Sequence, residues 1–297
     1  MSYELLIGDP AYSSWSLRAW LLFDRFGLPV REIMVSFLQD SVAAQVAPHR
    51  PARTVPTMRT PDGTVVWDSL AIAEELCSRH PDLGLWPRDA TARAIARSLS
   101  AEMHSGFATL RSECPMNLNR AYRNVPVSPE LRNDLRRIEH MWDYAQTICL
   151  SEGPWLCGTY SIADAFYAPV AARIAGYGLS VSATARAYVA AHLRDPAFRR
   201  WRAMALSGGH ILPWYERGYP RSNWPGPVPS PARALPDGPS VNAACPFTGR
   251  PVTEFAEIEG MIIGFSEISN RDKAVADPDV WPQVLALTKS KPQPSQH

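Results

Sequence analysis

Residues able to do chemistry stand where short apolar runs give way to helical spacing. Tyr12-Ser13-Ser14-Trp15-Ser16-Leu17-Arg18 lies between a candidate strand at 4–7 and a helix that is under way by Leu17. A helix N-terminus offers free N–H groups and a partial positive charge, which stabilise an anion. A hydroxyl placed there can donate to a thiolate and lower its pKa. Serine is equally a favoured cap wherever a helix begins. Thr54-Val55-Pro56-Thr57 sets a proline just ahead of another strand region. A cis bond there would turn the Val55 backbone outward, toward a peptide-like ligand, and a trans bond would make an ordinary strand start. Trp67-Asp68-Ser69-Leu70-Ala71-Ile72 forms a further strand-to-helix junction. Its Asp68 and Ser69 either cap the helix or grip the charged end of an amino-acid-like ligand.

The elements that would position these residues fall into distinct regions. Over residues 1–86, candidate strands at 4–7, 32–35, 56–59 and 64–67 alternate with helical patterns, the last two strands flanking Pro61-Asp62-Gly63. This is the rhythm of a small α/β domain. The first helix should stop at Gly27-Leu28-Pro29, with glycine as C-cap and proline beyond it. Residues 89–215 read as nearly all helix. Ser128-Pro129 opens one helix, and Leu131, Leu135, Ile138, Trp142 and Ala145 line its buried face. Gly158-Thr159-Tyr160-Ser161-Ile162-Ala163-Asp164 is a capping box with a structural role for Asp164. A helix over 92–111 should present Met103, Phe107 and Leu110 as an apolar face, with His104 and Arg111 reaching a cleft.

Seven prolines between Pro220 and Pro239 make 216–244 an expected extended linker. Beyond it, 252–265 alternates about Gly260 as a β-hairpin, and a short helix carrying Val275, Val280 and Trp281 would cover it.

Composition narrows the function. Lys and Arg number 30 against 29 Asp and Glu, a net charge of +1, which leaves no surplus to neutralise phosphates and argues against a nucleic-acid partner. No long apolar run or leader pattern is evident, so a soluble cytoplasmic protein without a membrane partner is expected. Five scattered cysteines with no CxxC pair suit reduced thiols.

Taken in order, Ser13-Ser14-Trp15-Ser16, Val55-Pro56 and Asp68-Ser69-Leu70-Ala71-Ile72 resemble the glutathione site of cytosolic glutathione transferases, nearest to the zeta or maleylacetoacetate isomerase-like class. The resemblance covers about the first 215 residues. It implies a thioredoxin-like α/β domain over 1–86, an all-α electrophile-binding domain over 89–215, and a homodimer. It further implies that Ser13 holds the glutathione thiolate, with Tyr12 as rival. Ser14, Arg53, Thr54, Val55, Pro56, Asp68 and Ser69 would bind the rest of glutathione. Trp15, His104, Phe107 and Arg111 would face the electrophile. Glutathione enters as co-substrate, and no metal or other cofactor is implied. Zeta enzymes carry cysteine where Trp15 stands, so conjugation is expected over isomerisation. The alternatives are a zeta-like cis–trans isomerase and a non-catalytic glutathione-binding or assembly module.

The end of the chain resembles something else. Cys245-Pro246-Phe247-Thr248-Gly249-Arg250, with Ser266 and Asn270 at later ligand positions, looks like a degenerate YHS/TRASH-type metal-binding module over 245–297. One surviving cysteine cannot build a tetrahedral zinc site, so a metal-free hairpin-plus-helix appendage is expected.

Overall fold

Tyr3, Leu5, Leu6 and Ile7 are all buried, and they form the inner strand of a mixed sheet. In the computed structural model, which describes residues 2–289, this strand β1 (Tyr3–Gly8) pairs in parallel with β2 (Val30–Val35). On its other side β1 runs antiparallel to β3 (Thr57–Arg59), which pairs with β4 (Val65–Trp67), giving the order β2-β1-β3-β4. Helix α1 (Ser14–Arg25) follows β1, a short α2 (Val42–Gln45) precedes the prolines, and α3 (Ser69–Arg79) follows β4 and packs on α1. Helix α1 ends as the sequence indicates: Gly27 takes φ +66° and the Leu28 N–H reaches back to Phe23 O at 2.8 Å.

The helical layer comprises α4 (Ala90–Ser105), α5 (Ala108–Glu113), α6 (Pro129–Ile148), α7 (Ile162–Gly176) and α8 (Ala183–Arg194), with a short strand β5 (Ala121–Tyr122) between α5 and α6. β5 pairs with β6 (Arg221–Ser222). Helix α7 is buried along almost its whole length and packs on α1, α4 and α8. Its capping box is formed: Asp164 accepts from Ser161 N at 2.9 Å and, on its other oxygen, from Leu156 N at 3.1 Å and Tyr188 OH at 2.9 Å.

The single helix expected over 92–111 is broken. Gly106 is extended at φ −107°, ψ −169°, and Phe107 takes a left-handed φ of 61°. A Cβ at Gly106 would lie 2.8 Å from Glu102 O, so only glycine fits there. The Arg111 guanidinium fills the break, donating to the carbonyls of Met103, His104 and Gly106 at the end of α4.

All these elements belong to one compact unit, residues 1–195 and 211–226. A second unit holds 196–210 and 227 onward. It contains α9 (Pro196–Ser207), a three-stranded sheet β7 (Ala232–Leu235), β8 (Glu254–Ile258) and β9 (Met261–Phe265), and helices α10 (Ile268–Ala276) and α11 (Pro282–Thr288). The β8–β9 turn is left-handed at Glu259 and Gly260, φ 50° and 75°, as expected of a tight hairpin.

Three readings need correction here. The proline-rich 216–244 segment is not linker throughout, because it contains β6 and β7, which pair with β5 and β8. Prolines 231 and 236 flank β7 without interrupting it. The covering helix divides in two, since Pro278 and Pro282 separate α10 from α11 and leave Val280 and Trp281 between them. Finally α9, expected in the helical domain, packs on α10, where Arg199 holds Asp277 through two bonds of 2.8 and 2.7 Å. Cys245, Ala256, Ile258, Ile263, Phe265 and Trp281 form the core of this unit with Ala203 of α9. The last eight residues of the expected module lie outside the described residues. Among the described residues no helix is long and apolar enough to cross a membrane.

Candidate functional site

The loop from β1 to α1 is held by its own side chains. Asp9 Oδ1 accepts from Ala11 N at 2.9 Å, and the Ser13 N–H donates to Asp9 O at 2.8 Å. Ser13 caps α1 and is buried. Its hydroxyl donates to Ser16 Oγ at 2.8 Å, and Ser16 Oγ also accepts from Gly8 N at 3.0 Å. Ser14 is arranged differently. Its Oγ accepts from Arg173 Nη2 at 3.2 Å, so its own proton is available to another acceptor.

These serines open onto a cavity of about 410 Å³. Tyr12, Trp15, Arg53, Thr54, Val55, Arg111 and Arg173 also line it, and no carboxylate does among the described residues. The Val55–Pro56 bond is cis. Tyr12 contributes its ring, but its hydroxyl is engaged by Leu212 N at 3.2 Å and Asn119 Nδ2 at 3.4 Å.

Asp68 and Ser69 are not in the cavity lining. Asp68 caps α3 with a φ of 76°, a region that non-glycine residues occupy at a cost and often at functional sites. One of its oxygens accepts from Leu70 N at 2.8 Å, and the other lies 3.2 Å from His104 Nε2. Ser69 is buried and its hydroxyl has no partner among the described residues. Two residues expected at the electrophile are placed otherwise. Phe107 is buried outside the cavity lining, turned away by the break in the helix. His104 also lies outside it, paired with Asp68 and edge-on to Trp15 at 5.2 Å. Burial lowers the His104 pKa against the pull of Asp68.

Trp15 holds two cations. The Arg18 and Arg111 guanidinium carbons sit 4.6 and 4.7 Å from its ring centre, and Arg18 also lies 4.8 Å from the ring of Phe166. The negative face of an aromatic ring attracts such cations. Arg18 is fully buried and none of its three nitrogens has a hydrogen-bond partner among the described residues. Burial, with Arg111 and Arg173 nearby, brings its pKa well below the usual arginine value. Arg173 donates to Cys114 O at 2.9 Å and Pro169 O at 3.2 Å, and burial brings its pKa down to about 10. Neither Arg18 nor Arg173 was singled out from sequence. The available signal was a lone arginine in the apolar run of α7, and another between Leu17 and Ala19 on the buried side of α1.

The fold is that of the glutathione transferases: a thioredoxin-like domain with a mixed sheet, followed by a helical domain. Residues 12–79 match the family model of the glutathione S-transferase N-terminal domain. Over 107 residues the chain is 35% identical to a probable maleylacetoacetate isomerase of Caenorhabditis elegans, a match taking in 34% of this chain and 49% of that protein. The chain thus spans about half the length of this curated relative. Among solved structures, glutathione transferase Omega 3C of Trametes versicolor aligns with a TM-score of 0.52 at 16% identity, over 68% of this chain and 88% of the other. A glutathione transferase of Methylococcus capsulatus aligns at 0.50 and 21% identity, over 67% and 97%. Ure2p in complex with S-hexylglutathione aligns at 0.51 and 16%, over 68% and 98%. At these identities the structural matches speak for the fold.

Proposed function

We propose that the chain is a glutathione transferase that holds glutathione as thiolate in the 410 Å³ cavity and transfers it to an electrophile bearing an anionic group. The observation that carries this reading is convergence on one cavity: Ser13 and Ser14 at the start of α1, Val55, and three arginines, Arg53, Arg111 and Arg173. In this reading Ser13 turns its proton from Ser16 Oγ to the sulfur, and Ser14, polarised by Arg173, is a second donor. Lowering the thiol pKa by about two units corresponds to roughly 2.7 kcal/mol. The sulfur lone pair then forms the C–S bond, and the leaving group departs with the bonding pair.

Val55 pairs with the cysteinyl backbone beside Pro56, Arg53 and Thr54 face the glycyl carboxylate, and the γ-glutamyl end extends beyond the cavity lining to Asp68 and Ser69. The unpartnered Ser69 hydroxyl supports that last role. Arg111 and Arg173 supply the charge that favours an anionic electrophile, and Trp15 is the cavity wall that orients Arg111. The second unit is read as the metal-free remnant of a YHS/TRASH-type module. Burial raises its Cys245 thiol, but hydrogen bonding at the sulfur, with Ser266 and Thr248 foremost, outweighs it and brings the pKa down to about 7.

The test is Ser13→Ala, assayed for the pKa of bound glutathione and for turnover of a model electrophile. Losing one donor to a charged acceptor costs roughly 1.5–3 kcal/mol, on the order of a 10- to 100-fold drop. Glutathione affinity should change little. A silent Ser13→Ala beside an inactive Ser14→Ala would move the role one residue on.

Two other readings have specific support. The name of the C. elegans relative favours isomerase activity, which a direct assay with maleylacetoacetate decides; Trp15 leads us to expect little turnover. The commitment of the Ser13 hydroxyl to Ser16 favours a binding module. Retention on immobilised glutathione without turnover would establish it.

A further inference from the structure

Two thiols lie apart from the serine cavity and take no part in the transfer chemistry. Cys149 caps the C-terminus of α6, and Cys157 is buried just beyond the loop that follows. Their side chains are hydrogen-bonded to one another, and both line an open cavity of about 830 Å³.

The loop between them is built to keep them together. Ser151 Oγ donates to Trp155 O at 2.6 Å, and Trp155 bridges to Gly158. Leu156 N, next to Cys157, donates to the buried Asp164 at 3.1 Å, which anchors this end of the loop to the start of α7. At the other end the Cys149 N–H continues α6 by donating to Ala145 O at 2.9 Å. Leu150 then takes a left-handed φ of 46°, a conformation that turns the chain sharply at the cysteine.

We propose that Cys149 and Cys157 are a reversible dithiol–disulfide pair that exchanges with glutathione disulfide admitted to this cavity. The Cys149 thiolate attacks one sulfur of glutathione disulfide, whose S–S bond breaks, and one glutathione leaves as thiolate. Cys157, giving up its proton, then attacks the Cys149 sulfur of the mixed disulfide and displaces the second glutathione. The balance is two protein thiols oxidised to one disulfide and one glutathione disulfide reduced to two glutathiones.

The order of attack follows from the surroundings. Burial raises both thiols, that of Cys157 further, and the bond between them favours ionisation at Cys149 and opposes it at Cys157. Cys149 is also the more exposed of the two. Cys149 therefore attacks and Cys157 resolves. The inference does not depend on the transferase reading.

The full chain, reduced and then incubated natively with glutathione disulfide, should lose the mass of two hydrogens. Proteolytic mapping should place the cross-link between Cys149 and Cys157, and dithiothreitol should reverse it. Cys157→Ser should stop with one glutathionyl group on Cys149. Cys149→Ser should leave Cys157 unmodified. An unchanged mass, a stable glutathionyl adduct on the wild-type chain without a cross-link, or a cross-link to Cys77, Cys114 or Cys245 would each overturn the proposal. The wild-type mapping decides the matter even where a variant folds poorly.

Discussion

Arg18 sits in a position that few cations occupy. It is fully buried between the rings of Trp15 and Phe166, with no carboxylate or carbonyl on its nitrogens among the described residues. Stacking contributes up to about 2 kcal/mol where the cation is desolvated, less than the cost of burying an unpaired charge. Arg18→Met should therefore raise stability by about 1–3 kcal/mol, read as a higher midpoint in thermal unfolding. The same variant should weaken turnover of an anionic electrophile, because a positive charge beside Arg111 and Arg173 is gone. A lower midpoint would show that the two rings hold the guanidinium at a net gain. Local chemistry was legible at this scale: Ser13, Asp68, Ser128 and Ser161 all stand at the helix starts where their types and neighbours put them. Arg18 and Arg173 were not, since their meaning depends on what is packed around them, and spacing along one helix carries no such information.

Among the elements, α8 carries a group that makes stability depend on pH. His192 is buried among Trp155, Tyr160 and Tyr188, and burial brings its pKa down to about 3. Between about pH 6.5 and that value the unfolded chain binds a proton that the folded one does not, so stability falls as pH falls. From pH 7 to pH 5 the loss is about 2 kcal/mol. Asp164, whose carboxyl is pushed up to about 6 by burial, acts with the opposite sign over part of this range. The informative comparison is thus between the wild-type chain and His192→Phe, whose denaturant-unfolding free energy should decline less steeply below pH 6.5. Equal slopes would mean that His192 is protonated in the fold. The element boundaries that escaped the sequence are of one kind. Gly106 reads as a tolerable residue inside a helix until the Arg111 guanidinium is seen at the end of α4. Strand β7 reads as linker because its partner, β8, is contributed from beyond Cys245.

For the whole molecule, the chain divides into two units that are not successive stretches. Residues 211–226 return to the first unit after α9 has joined the second. A chain cut after residue 195 loses β6, the partner of β5, and the Leu212 N–H that bonds Tyr12 OH. A chain cut after residue 226 keeps these but leaves Ala203 and Arg199 of α9 without the core and carboxylates they meet in the second unit. Both truncations should unfold at lower temperature than the full chain and bind more of a hydrophobic dye, with the longer one retaining more affinity for glutathione. A 1–226 fragment as stable as the whole would show that α9 needs none of its partners.

The same threading has a consequence for the order in which the protein is made. Helix α9 leaves the ribosome before any strand of its own sheet exists, and the next segment to emerge, 211–226, belongs elsewhere. Synthesis runs at about 5–20 residues per second, so α9 waits seconds for β8, β9 and α10, with Ala203 and Met204 uncovered. A nascent chain caught in that interval holds a complete first unit and one orphaned helix, the stage at which a chaperone would have most to protect.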